Sequence, residues 1–160
     1  MADALVPSSQ SKMKPIAIGC DPNAAELKAH LMKHLSALGY EYEDYGSTDP
    51  IYANTAVRVA EAVAAGKHDR GILMCGTGIG VSIAANKVRG AYAALVTDPY
   101  SAERAVKSNN ANIICFGAFT IGAEVAKSLL SIWLACAYTP GTPSAAKIER
   151  ICDYERSHGS

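Results

Sequence analysis

The sequence predicts an α/β fold: a three-layer α/β/α, Rossmann-like sandwich on a five-stranded parallel sheet. Strand-like and helix-like segments alternate five times along the chain. The first strand-like segment is a continuous apolar run ending at a glycine, the mark of a strand buried on both faces. The intervening segments carry apolar residues at helical spacing, with glycines at their ends. Such alternation favours a parallel sheet covered on both faces, because its crossovers are right-handed.

Residues 1–13 read as a disordered leader, with Pro7, Ser8, Ser9 and Ser11 and no apolar period. Residues 15–21 form the first strand. Residues 23–38 form a helix, with Leu27, Leu31, Leu35 and Leu38 on one face and Gly39 as its stop. A second strand, 40–44, leads into a loop with Gly46 and Pro50. A helix over 55–65 follows, with Val57, Ala60, Val63 and Ala64 on one face and Gly66 at its end. The third strand, 70–75, runs straight into the glycine loop 76–80 and a helix over 81–87. A fourth strand, 91–96, ends at Thr97-Asp98-Pro99, and a helix covers 101–108. The fifth strand, 111–116, ends at Gly117. A long helix over 120–137 is built around Leu129, Leu130 and Trp133. After a Pro/Gly loop a last helix, 144–156, closes a single domain spanning 14–156. That helix is a candidate for reaching a neighbouring subunit.

A chain of 160 residues buries roughly 70% of the surface it exposes when unfolded. Its 15 Lys+Arg balance 15 Asp+Glu, which removes the electrostatic drive for nucleic-acid binding and for a polybasic membrane surface. No apolar run reaches the ~20 residues a bilayer needs; residues 125–138 are interrupted by Lys127 and Ser128. The polar amino terminus lacks a secretion signal, so a soluble cytoplasmic protein is expected. The cysteines at 20, 75, 115, 136 and 152 are then reduced thiols, and no two have CxxC spacing. His30 and His34 form an i,i+4 pair without the acidic residue of HExxH. Neither a metal nor a cofactor is expected.

In open α/β sheets ligands bind beyond the carboxyl ends of the strands. Here those ends carry Asp21, the CGTGIG run from Cys75 to Gly80, Asp98 and Gly117. Three glycines in five residues, Gly76, Gly78 and Gly80, can turn several N–H groups inward ahead of a helix, making a nest for an anion or oxyanion. A tight turn for close helix packing is the alternative. The loop is not a Walker loop, and Val81 stands where the dinucleotide fingerprint needs glycine. Thiolates are favoured at such helix starts, so Cys75 is a candidate base or nucleophile; a small buried apolar residue is the alternative, and the reading given to the other four cysteines. Thr77 adds a hydroxyl. Asp21 is either a site residue or a helix N-cap beside Pro22. Asn109 and Tyr52, in a loop before the second helix, are open between structural and functional roles.

Residues 70–87, RGILMCGTGIGVSIAANK, closely resemble ribose-5-phosphate isomerase type B and its relatives, which include the galactose-6-phosphate isomerase subunits. The likeness continues through 93–102, Asn109 and Ala111-Asn112, and covers roughly residues 14–152. The resemblance implies a metal-free, Rossmann-like homodimer, or sometimes a tetramer, interconverting aldose and ketose sugar phosphates at sites between subunits. It implies that Cys75 moves a proton between C1 and C2 of a cis-enediolate. Thr77 and the amides of Gly76, Gly78, Ile79, Gly80 and Val81 would stabilise the oxyanion. Asp21, Asn109 and Tyr52 match active-site positions, and Lys147 stands where a phosphate-binding arginine is frequent.

Four departures accompany it. Pro22, Ser108, Phe119 and the segment 141–144 replace family residues that include histidines and arginines. Lysine is a point charge rather than a bidentate fork, so Lys147 grips phosphate differently. The proton-transfer half is thus intact, and the ring-opening and phosphate-gripping half is altered. D-ribose 5-phosphate is the default substrate. An erythrulose phosphate, which needs no ring opening, is the alternative with the same chemistry. A non-catalytic sugar-phosphate-binding partner subunit is a third reading.

Overall fold

Five strands, Ile16–Cys20 (β1), Tyr42–Asp44 (β2), Gly71–Cys75 (β3), Ala93–Leu95 (β4) and Ile113–Gly117 (β5), pair in parallel in the order β2-β1-β3-β5-β4. The structure is a computed structural model describing residues 13–158. β1, β3 and β5 are buried along their whole lengths, whereas the edge strands β2 and β4 are short and partly exposed. That contrast follows from position: inner strands have helices on both faces.

The strand order dictates which face each helix covers. The chain steps one way from β1 to β2, so helix Ala25–Ala37 (α1) lies on one face. It then steps the other way twice, so Tyr52–Ala64 (α2) and Ile79–Ala85 (α3) lie on the opposite face. The step from β4 back to β5 returns Pro99–Lys107 (α4) to the face of α1, and Ala123–Ala135 (α5) packs against both. Two cores result. Ile16, Ile18, Leu31, Ile72, Phe116 and Trp133 belong to the larger one, under α1, α4 and α5. Ala17, Val59, Leu73, Val81 and Cys115 belong to the smaller one, under α2 and α3. The direction of winding reverses between β1 and β3, so the crevice expected of such sheets opens where Asp21 and Cys75 emerge.

Several boundaries differ from those the sequence predicts. Met13 packs against the larger core; the rest of the expected leader lies outside the described residues. The first helix begins as a single 3₁₀ turn, Pro22–Ala24, with Asp21 as its cap. The helix expected from residue 120 starts at Ala123, because the Thr120 and Ile121 amides and the Thr120 hydroxyl turn back onto the Gly117 carbonyl. The last helix, Ala145–His158 (α6), has no buried residue. No helix among the described residues is long and apolar enough to cross a membrane.

Beside the crevice lies an ion pair that the sequence did not announce. Lys28 reaches from α1 to the end of β2, its Nζ donating to Asp44 Oδ1 at 2.6 Å, with side-chain exposures of 5% and 41%. Burial by itself raises the Asp44 carboxyl, but the Lys28 ammonium and the Gly46 amide outweigh it and hold the group below its ordinary value. Asp44→Ala leaves a buried ammonium unpaired. The expected loss is about 2–3 kcal/mol, at or below the low end for a buried pair because Asp44 is partly solvated. A depressed acid stabilises above its unfolded value and loses that contribution as pH falls through its folded value. Urea titrations should therefore show the gap between wild type and variant narrowing below about pH 4.

Candidate active site

β3 carries Cys75 to the carboxyl edge of the sheet, where its side chain is 4% exposed. Beyond the strand the pairing with β5 continues for two more bonds. The Ala118 amide donates to the Cys75 carbonyl at 2.9 Å and the Phe119 amide to the Gly76 carbonyl at 2.8 Å. The chain then turns at Gly78, whose φ of +76° lies in the left-handed region that favours glycine. This turn aims the Gly78 N–H at Cys75 Sγ, 3.1 Å away. The Ile79 amide donates to Thr77 Oγ1 at 3.3 Å. The first bond inside α3 runs from the Ser82 amide to the Gly78 carbonyl, so the amides of Gly80 and Val81 have no partner within the helix. The glycine loop is therefore a tight turn that sets one donor, the Gly78 N–H, on the sulphur and leaves the Gly80 and Val81 amides without a partner in the helix.

Each glycine of the loop also seats a side chain from elsewhere. A Cβ at Gly76 would lie 2.9 Å from the Phe119 ring. One at Gly78 would lie 2.6 Å from Leu95 Cδ1, and one at Gly80 would collide with the Tyr52 ring. Gly117 faces the loop from β5, where a Cβ would come within 2.5 Å of the Thr77 carbonyl carbon.

The residues singled out in the sequence fall into two groups. Asp21 sits level with Cys75, since Cys20 pairs with Met74 in the register of β1 and β3. Its carboxylate accepts from the Asn23 amide at 3.1 Å and the Asn23 side chain at 3.4 Å, so the capping role is realised at the crevice itself. Tyr52 is the first residue of α2 rather than part of the preceding loop; Ile51, the residue before it, has no capping side chain to signal the start. Val81 buries its side chain in the smaller core and can offer only its amide.

Asn109 and Lys147 are not with them. Asn109 follows α4, its side-chain amide donating to the Arg104 carbonyl at 3.3 Å. It precedes β5, on the amino edge of a parallel sheet, and the five residues of that strand separate it from the Cys75 edge by at least about 13 Å. Lys147 lies on exposed α6. That helix docks through Glu155, which accepts from the Gly90 amide at 3.0 Å and the Tyr92 hydroxyl at 2.7 Å, both just ahead of β4.

Burial pushes the Cys20 thiol up to about 12 and raises the Cys115 thiol well above its ordinary value. Both are neutral packing groups, as the sequence suggested. What sequence reasoning missed is the pinning of Phe119 beside Cys75. Gly117 at the strand end was the available signal. On the far side of Phe119 opens a cleft of about 420 Å³ lined also by Asn23, Glu26, His30 and Gly122.

A model of the Ribose/Galactose Isomerase family matches residues 16–151. The chain is 47% identical over 147 residues to the D-erythrulose-4-phosphate isomerase of Pectobacterium atrosepticum, covering 89% of this chain and 96% of that protein. It is 43% identical over 134 residues to the ribose-5-phosphate isomerase B of Escherichia coli, covering 81% and 89%. Among solved structures, the ribose-5-phosphate isomerase B of Clostridium thermocellum superposes with a TM-score of 0.85 at 36% identity, over 91% of this chain and 99% of that one.

Proposed function

Because the chain belongs to the Ribose/Galactose Isomerase family, we propose that it interconverts aldose and ketose sugar phosphates, by default D-ribose 5-phosphate and D-ribulose 5-phosphate. The observation that carries the reading is the Gly78 N–H held 3.1 Å from Cys75 Sγ, which fixes the sulphur at the mouth of the glycine loop. The Cys75 sulphur, acting as the base, removes the proton from C2 of the open-chain aldose and returns it to C1. Meanwhile a hydroxyl proton shifts from O2 to O1 through the cis-enediolate. Thr77 and the amides of the loop hold the negative oxygen while it exists, and donors fixed in advance need no reorganisation. Asp21 orients a sugar hydroxyl, and Tyr52 walls the loop at Gly80.

The site is completed by a second copy of the chain. Asn109 precedes β5 at the amino edge and Cys75 ends β3 at the carboxyl edge, so these two serve one site only if two chains contribute, and Lys147, on exposed α6, would come from the same chain as Asn109. Tyr52, Ile79, Ile83 and Leu95 are exposed large apolar residues around the loop, and a homodimer with sites at its interface covers them. Residues 14–156 act as one isomerase domain in the cytoplasm. Similarity to a protein named D-erythrulose-4-phosphate isomerase favours a second reading of the substrate, a tetrulose phosphate.

The test is incubation with D-ribose 5-phosphate in heavy water, followed by NMR. Loss of the C2 proton signal with appearance of the ketose is the expected result. If neither this sugar nor a tetrose phosphate shows exchange with the folded protein, the isomerase reading fails.

A further inference from the structure

Phe119 is a large apolar residue left 72% exposed at the mouth of the glycine loop. Its amide is bonded to the Gly76 carbonyl at 2.8 Å, and its ring fills the space a Gly76 side chain would take. Its ring therefore stands between the Cys75 loop and the 420 Å³ cleft that Phe119 also lines. Neither core includes it, so packing within the chain does not explain its presence.

We propose that Phe119 is a specificity-determining residue that limits the length of the sugar phosphate accepted beside Cys75. The proposal rests on the isomerase reading and deepens its second form, the tetrulose phosphate. With C1 and C2 held near Sγ and the oxyanion on the loop, the rest of the carbon chain must leave past the loop's rim. On the cleft side that exit is the Phe119 ring. A hydroxyl carried against a phenyl ring gives up its water and gains no donor or acceptor in return. A pentose phosphate has one CHOH group more than a tetrose phosphate between C2 and its phosphate, and that added group is the one carried against the ring. Removing the ring joins the loop to the cleft, where Asn23, Glu26 and His30 offer polar partners.

The experiment compares initial rates on D-erythrulose 4-phosphate and D-ribulose 5-phosphate for wild type, Phe119→Ala and Phe119→Leu, with oligomeric state checked by light scattering. The pentose-to-tetrose ratio of kcat/KM should rise about tenfold or more in Phe119→Ala, the discrimination one added group commands. It should rise less in Phe119→Leu, which keeps an apolar wall. An unchanged or lowered ratio in folded variants overturns the proposal, as does loss of the wild-type assembly with the ratio unchanged, which would assign the ring to a subunit contact. Wild type inactive on both sugars overturns the isomerase reading, and this inference with it; turnover with an unchanged ratio overturns this inference alone.

Discussion

Cys75→Ala is expected to lower kcat on the best sugar phosphate by about 10²–10⁴-fold, the span a positioned general base supplies. KM should change little, because the loop amides and Thr77 remain. The methyl group fits where the thiol sat, so the fold should survive. The Gly78 N–H loses its acceptor at a buried position, which costs roughly 1 kcal/mol, well within a domain's reserve. Cys75→Ser is the sharper comparison: its oxygen can still accept from Gly78, yet a hydroxyl is too weak an acid to be present as the anion. It should be nearly as slow as the alanine variant. Exchange of the C2 proton in heavy water reads both variants directly. Undiminished exchange in Cys75→Ala would remove the thiol from the mechanism.

Gly78→Ala should damage both stability and turnover. The left-handed backbone at φ +76° costs a non-glycine residue about 1–2 kcal/mol. The new methyl would also lie 2.6 Å from Leu95 Cδ1 and 2.8 Å from the Phe116 carbonyl carbon. Backbone cannot step aside as a flexible side chain can, so overpacking adds about 1–3 kcal/mol. A total near 3 kcal/mol is expected in chemical denaturation, with activity reduced more than about tenfold as the amide shifts off the sulphur. Gly39→Ala separates the two causes. Gly39 also has positive φ, +84°, but nothing lies within 4 Å of its Cβ position. It should lose only the backbone share and keep full activity.

Much of this is legible in the sequence. Apolar runs ending in glycine located the inner strands. The CGTGIG run placed a donor, the Gly78 N–H, on Cys75 because a strand, three glycines and a helix leave the loop little choice of conformation. The distant position of Asn109 was also available in principle: a residue just before a parallel strand lies at the edge opposite a residue just after one. The order of the strands was not legible, since alternation alone does not say which side of β1 receives β3. Nor was the start of α2, because Ile51 gives no capping signal. Phe119 read only as a departure from a family pattern; that its ring rests on Gly76 depends on a two-bond extension of the ladder between β3 and β5 that no local sequence motif encodes.

The three glycines of the loop receive Phe119 from the β5–α5 turn, Leu95 from β4 and Tyr52 from α2. The loop that carries the proposed chemistry is thus a keystone, gripped by three parts of the chain at its three glycines. Change has to come from the grips. A different residue at 119 or 52 reshapes the rim while the thiol and its amide stay where they are. This division between a sterically constrained centre and replaceable neighbours offers a physical route by which one scaffold can serve sugars of different length.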